Sequence, residues 1–256
     1  MKALDSNSDW EKPKARLNEA LRRDEFELFL QPIIALARPG EWHMAEVLIR
    51  LRQEEKALLP PGEFLPAFDL FGMLPQLDSW VLRKVARRLA GSPVRFSINV
   101  SGPTLEEEVL PRLLRDLDVP RGRLLFEIEE SDLVARARAA ERFCDAIRAA
   151  GGGIVIDGFG RQNLSFERFA GLRPDFVKID GALTRPLLSD EASVLRVQTI
   201  QRLGEALGVG LIAECVETPD VLLQLDSLGV GHAQGYGVCR PKPIDELLLG
   251  ERLLAA

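Results

Sequence analysis

Residues 124–157 read LLFEIEESDLVARARAAERFCDAIRAAGGGIVID. An apolar run, Leu124–Ile128, passes into a helical stretch over 132–150 and then into a second apolar run, Gly153–Asp157. Each run carries a carboxylate near its end, Glu127 and Asp157. The rhythm continues outward, with short apolar runs at Arg95–Val100, Asp175–Ile179, Gly210–Ala213 and Val230–Gln234. They alternate with helical stretches near 104–116, 164–170, 191–207, 218–228 and 243–254. Strands followed by helices, repeated with short loops, require parallel pairing with the helices outside, and about eight such strands close into a barrel. Upstream, FELFLQPII from Phe26 alternates and then turns apolar, as a strand does on entering a core. Ala45–Leu51 reads as a second strand after the turn-forming Arg38-Pro39-Gly40. Helices are expected over Glu63–Leu70 and Leu77–Leu89, the latter with Trp80, Val81, Val85 and Leu89 on one stripe. The first 24 residues read as a polar connector with a short amphipathic segment at Leu17, Ala20 and Leu21, and 25–256 as one barrel domain. A doubly wound open sheet is the competing architecture, but no GxGxxG or GxxxxGK[ST] loop follows the first strand.

The 256 residues fit one α/β barrel, which commonly uses about 250. No run approaches the roughly 20 apolar residues that span a bilayer, and the polar start MKALDSNSDWEKPKARLNEAL is unlike a signal peptide, so a cytoplasmic location without membrane insertion is expected. Cys144, Cys215 and Cys239 are widely spaced without a CxxC pair, and His43 and His232 are the only histidines. A disulfide framework, a structural zinc site and a serine–histidine triad therefore have little material. The formal charge of −6 argues against a DNA-binding role, which needs a basic footprint. An anionic ligand would need bound metal or placed Arg and Lys to offset that field.

Polar residues fall in phase on the expected strands. Glu46 lies within the second, Asn99 near the end of FSINV, Glu127 near the end of LLFEI and Asp157 at the end of IVID. Lys178 lies in DFVKID, Glu214 follows GLIA, and Gln234 closes the last strand. A barrel gathers those ends on the face where active sites of this fold are built. One such carboxylate is ordinarily a helix cap or a solvated loop residue. Several buried together require a cation or a proton to compensate them. Carboxylate and amide oxygens without Cys or His suit Mg²⁺ or Mn²⁺, with Ca²⁺ wanting more donors.

The ordered motifs QPI (31–33), EVLIR (46–50), FLP (64–66), INVS (98–101), FEIEES (126–131), DGFG (157–160), VKID (177–180), AECVE (213–217) and QGYGVCRP (234–241) resemble the EAL-domain family. That family comprises phosphodiesterases of the bacterial messenger cyclic di-GMP and degenerate relatives that bind it or bind proteins. The resemblance implies a modified (βα)₈ barrel with its first strand antiparallel and hydrolysis of the ligand to linear pGpG. It implies metal ligation by Glu46, Asn99, Glu127 and Asp157, and orientation or activation of water by Lys178, Glu214 and Gln234. Arg50 and Gln31 match contacts to phosphate and guanine, with Glu217 grouped on the substrate side, and Glu130 matches a carboxylate that supports the loop after the DDFG motif. Pairing of two copies through barrel helices is implied too, and the charged start resembles a junction to an upstream regulatory domain.

The sequence departs from the family pattern at four places. The Glu-Ala-Leu signature is Glu46-Val47-Leu48, and Gly158 stands where the family places a second aspartate that holds a second metal. Residues 161–165, RQNLS, replace a TGYSS-like loop. Cys215 replaces a glycine and is expected to be a small buried hydrophobe. Two readings stay open: a phosphodiesterase, or a module that senses cyclic di-GMP or docks a protein without cleaving.

Overall fold

The computed structural model describes residues 13–53, 57–89, 92–161 and 166–248. Helix α1 (Pro13–Arg22) leads into β1 (Phe26–Ala35) and β2 (Arg38–Gln53), an antiparallel hairpin in which Gln31 faces Glu46 and Phe29 faces Leu48. β3 (Ala57–Leu59) folds back on the far end of β2. Helices α2 (Pro61–Leu70) and α3 (Leu74–Leu89) then precede β4 (Arg95–Val100), a 3₁₀ turn at Gly102–Glu106, α4 (Val109–Asp116) and β5 (Leu124–Glu129). The remainder runs α5 (Glu130–Ala135), α6 (Ala137–Ala150), β6 (Gly153–Phe159), α7 (Phe166–Leu172), β7 (Phe176–Ile179), α8 (Gly181–Thr184) and α9 (Glu191–Leu207). It closes with β8 (Gly210–Ala213), α10 (Pro219–Ser227), β9 (His232–Ala233) and β10 (Lys242–Pro243).

β2 and β4 through β9 pair in parallel, each with the next, and β1 closes the ring by pairing antiparallel with both β2 and β9. The result is the α/β barrel expected from the strand rhythm, with the reversed first strand that the EAL resemblance implies. Strand parity divides its core. Outward residues such as Phe126, Ile128, Ile154, Ile156, Val177, Ile179 and Leu211 pack under the helices. Inward residues Ile33, Met44, Leu125, Val155, Phe176 and Ile212 form a separate apolar plug inside the barrel. Full burial of such side chains stabilises by roughly 1.5–3 kcal/mol each. A third cluster joins Leu17 and Ala20 of α1 to Phe26, Phe64 and Phe68, with Trp80 against Phe26 at 5.5 Å between ring centroids.

Several boundaries differ from expectation. Pro39 and Gly40 lie inside β2, and the hairpin turns at Leu36–Ala37. The single helix expected over 104–116 is a 3₁₀ turn followed by α4, and the one over 132–150 is two helices broken at Arg136 (φ −123°, ψ 38°). The last helix is seen only over 244–248, its remainder lying outside the described residues. No helix among the described residues is long and apolar enough to cross a membrane.

Candidate active site

Successive side chains of a strand alternate faces, so a residue two positions beyond a plug residue also points inward, one layer nearer the mouth. Glu46 stands in this relation to Met44, Glu127 to Leu125, Asp157 to Val155, Lys178 to Phe176 and Glu214 to Ile212. Gln31 stands so to Ile33 along the reversed β1. Asn99 and Gln234 complete the layer, two residues beyond Ser97 and His232.

The layer converges on Lys178, whose side chain is 1% exposed. Its Nζ lies 2.9 Å from Glu46 Oε2, 2.8 Å from Glu127 Oε2, 3.0 Å from Glu214 Oε1 and 3.7 Å from Asp157 Oδ1. Asn99 Nδ2 donates to Glu46 Oε1 at 2.9 Å, and Gln234 Nε2 donates to Glu46 Oε2 at 2.7 Å and to Gln31 Oε1 at 3.3 Å. Gln31 Nε2 in turn donates to the Cys239 carbonyl at 3.1 Å. Four carboxylates thus surround one ammonium, and Glu127 Oε1 is buried without a hydrogen-bond partner.

Burial opposes every charge here, and the neighbours decide which survive. For Lys178, burial is outweighed by Glu127, Glu214, Glu46 and Asp157, which hold its pKa well above the ordinary lysine value. Glu46 is also buried, yet Lys178 and the donors Asn99 and Gln234 hold it below the usual carboxylate value. Burial and the adjacent Glu46 push Glu127 up to about 8, and burial pushes Glu214 up to about 7, against the pull of Lys178 in both cases. One ammonium is too little positive charge for this layer.

Among the described residues no three acidic, histidine or cysteine side chains already enclose a common cation position. The Lys178 ammonium holds the centre. The uncompensated carboxylates, the partnerless Glu127 oxygen and the all-oxygen donor set nevertheless fit a hard divalent ion.

The family model described as the EAL domain matches residues 14–241. The chain belongs to the EAL-domain family. It is 28% identical over 238 residues to the cyclic di-GMP phosphodiesterase PdeB of Shewanella oneidensis, covering 90% of this chain and 28% of that protein. It is 31% identical over 242 residues to the cyclic di-GMP phosphodiesterase PdeF of Escherichia coli K12, covering 91% of this chain and 32% of that protein. The chain therefore spans about a third or less of the length of these relatives. The PaMucR phosphodiesterase in complex with c-di-GMP superposes with a TM-score of 0.84 at 28% identity, covering 93% of this chain and 100% of that one. The FimX EAL domain of Pseudomonas aeruginosa bound to c-di-GMP gives 0.81 at 26% identity, covering 90% and 96%.

In this EAL domain Asp157 sits on a β-bulge. The β6–β7 register slips between Ile156 and Phe159, and Gly158 takes φ +64°, a left-handed conformation that glycine adopts without a Cβ clash. Asp157 Oδ1 accepts from the Gly158 N–H at 2.8 Å. Glu130, buried at the start of α5, accepts from the Gly160 N–H at 3.1 Å. Arg50 and Glu217 stand apart from the cluster. Arg50 lies four residues beyond Glu46 on the same face, its guanidinium 5.4 Å from the Phe29 ring centre and donating to the Ile49 carbonyl. Glu217 is exposed, 3.9 Å from Arg185.

A cavity of about 250 Å³ on one side of the polar layer is lined by Gln31, Glu46, Glu214, Gln234 and also Arg185, Cys215 and Tyr236. A second, of about 770 Å³, is lined by Ile49, Pro66, Asp78, Asn99 and Glu129 among others. Arg185, Tyr236 and Asp78 escape the strand-end pattern because they stand on helices or loops. Only Tyr236, within the QGY motif, carried a local signal. Cys215 corrects an expectation. It is half-buried rather than buried, adopts φ +55°, and its Sγ accepts from Arg185 Nη2 at 3.1 Å, so its thiol lines the mouth instead of filling a core gap.

Proposed function

We propose that this EAL domain binds cyclic di-GMP across its mouth and, with Mg²⁺ or Mn²⁺ held by Glu46, Asn99, Glu127 and Asp157, hydrolyses one phosphodiester bond to give linear pGpG. The carrying observation is the set of four carboxylates around the single Lys178 ammonium, with a Glu127 oxygen left unpartnered. A hard divalent ion bound there would polarise a phosphoryl oxygen and favour hydroxide chemistry near neutral pH. Asn99, which now donates to Glu46, would turn its amide to offer oxygen.

The chain's own groups divide the remaining work. Lys178 fixes Glu46 and Glu127 through two hydrogen bonds and Glu214 through an ion pair, so their oxygens are preorganised before the ligand arrives. Glu214, 21% exposed where the Glu127 side chain is wholly enclosed, is the carboxylate that can reach solvent and take a proton from the attacking water. As the water oxygen bonds to phosphorus, the P–O3′ bond breaks and the 3′ oxygen leaves as a hydroxyl, its proton drawn from solvent and balancing the one that the water gave to Glu214. Gln234 ties the metal side to the ligand side by bridging Glu46 and Gln31. Gln31 then meets a guanine, Arg50 a phosphate, and Glu217 the outer part of the ligand, while Glu130 steadies the backbone at Gly160. The two cavities, one lined by Glu46 and the other by its partner Asn99, suit a ligand with two bases. This reading places the domain in the cytoplasm, with a second copy, a protein partner or an upstream regulatory domain as its input.

One observation favours a receptor that does not cleave: Gly158 offers no side-chain oxygen beside Asp157. Incubation of the protein with cyclic di-GMP and Mg²⁺ or Mn²⁺, following both binding and linear product, separates the two readings. Product above a Glu46→Ala control is expected. Binding without product leaves the receptor, and no binding overturns both.

A further inference from the structure

The place that a Cβ on Gly158 would take is faced by three atoms of the Arg161 guanidinium, each 3.7 Å away. Arg161 reaches that place through an ion pair with Asp180, a carboxylate only 3% exposed. Asp180 Oδ1 caps α8 by accepting from the Ala182 N–H at 2.7 Å, while Oδ2 has no aligned hydrogen-bond donor and takes its compensation from the guanidinium charge. Glu129 and Asp157 draw on the same positive charge. The guanidinium therefore stands on the Asp157 side of the mouth, whereas Lys178 lies at its centre. With 58% of its side chain exposed, it keeps N–H groups free of protein cover. A planar guanidinium is suited to bidentate contact with phosphate oxygens.

A position where the family pattern has a negative charge thus has none, and a positive charge stands within contact of it. We propose that Arg161 is a fixed cation on the Asp157 side of the mouth that stands in for a second metal ion, so that the site takes one divalent ion and offers the guanidinium to the phosphodiester. The phosphodiester part rests on the proposed function; the limit to one ion does not.

Two measurements test this. Mn²⁺ titration of the metal-free protein is expected to count one ion per chain in the wild type and still one in Gly158→Asp, because the new carboxylate pairs with Arg161. It is expected to count two in Gly158→Asp combined with Arg161→Ala. Two ions in the wild type or in Gly158→Asp alone, or one in the double variant, would overturn the proposal. Cyclic di-GMP binding measured in EDTA is expected to weaken roughly tenfold in Arg161→Ala and less in Arg161→Lys, as loss of a charge-assisted contact implies. Unchanged affinity in Arg161→Ala would overturn it as well. An Arg161 that served only to neutralise Asp180 would move the melting temperature but neither the ion count nor the EDTA affinity. If the wild type binds no cyclic di-GMP, the proposed function fails and the Mn²⁺ counts alone decide the role of Arg161.

Discussion

The plug of Ile33, Met44, Leu125, Val155, Phe176 and Ile212 and the polar layer of Gln31, Glu46, Glu127, Asp157, Lys178 and Glu214 come from the same six strands or, for Glu214, from the residue that follows one, each pair two residues apart. One layer is satisfied by packing alone. The other buries carboxylates that repel one another and relies on a single ammonium to hold them. The barrel thus spends its stability in the lower layer and stores unbalanced charge in the upper one, a division expected where a scaffold carries a site that must bind charge.

The comparison breaks hardest at Lys178. Lys178→Met removes the only cation at the cluster's centre and should cost about 3–5 kcal/mol, the range for leaving buried charge uncompensated. The metal-free variant should melt well below the wild type, and saturating Mn²⁺ should narrow the gap. An equal gap with and without metal would show that the polar layer does not share its charge with a bound ion.

A smaller effect should appear with pH. Glu127 and Glu214 titrate at about 8 and about 7 in the folded protein, against 4.5 for a free glutamate. The folded state therefore binds more protons than the unfolded one across that interval, and metal-free stability falls as pH rises through it. Burial lowers the His232 pKa, so the unfolded imidazole still loses part of a proton as pH rises from 6.5 and opposes the trend, but only by a few tenths of a kcal/mol, on the order of one-fifth of the carboxylate effect. Between about pH 6.5 and 8.0 the loss should reach about 2 kcal/mol. Thermal melts in EDTA measure it, and a flat profile would contradict the charge imbalance. Added Mn²⁺ should stabilise more at the higher pH.

The plug supplies the mildest test. Ile212→Val removes one methylene from the lower layer and should cost about 0.5–1.5 kcal/mol while leaving Mn²⁺ affinity as it was. A changed affinity would mean that the two layers are mechanically coupled.

Much of this was legible beforehand because both ingredients are periodic. Alternation along each strand put Glu127, Asp157 and Lys178 inside, and barrel closure brought them together from distant positions. Shorter features left no such trace. β3, α8 and β10, of three, four and two residues, are too brief to show a period, and Pro39-Gly40 looked like a turn although β2 runs through both. The sequence also could not say which charged group would be central. That Lys178 holds the carboxylates, and that Arg161 turns back toward Gly158, depend on side-chain reach across the barrel rather than on any local pattern.

The central claim is that excess oxygen charge at the mouth is there to hold a hard cation. Calorimetric titration of Mn²⁺ into metal-free wild type and Glu127→Gln tests it most directly. The account predicts binding in the wild type and affinity lower by roughly tenfold or more in the variant. Equal affinity in the two proteins, or no binding by the wild type, would contradict it.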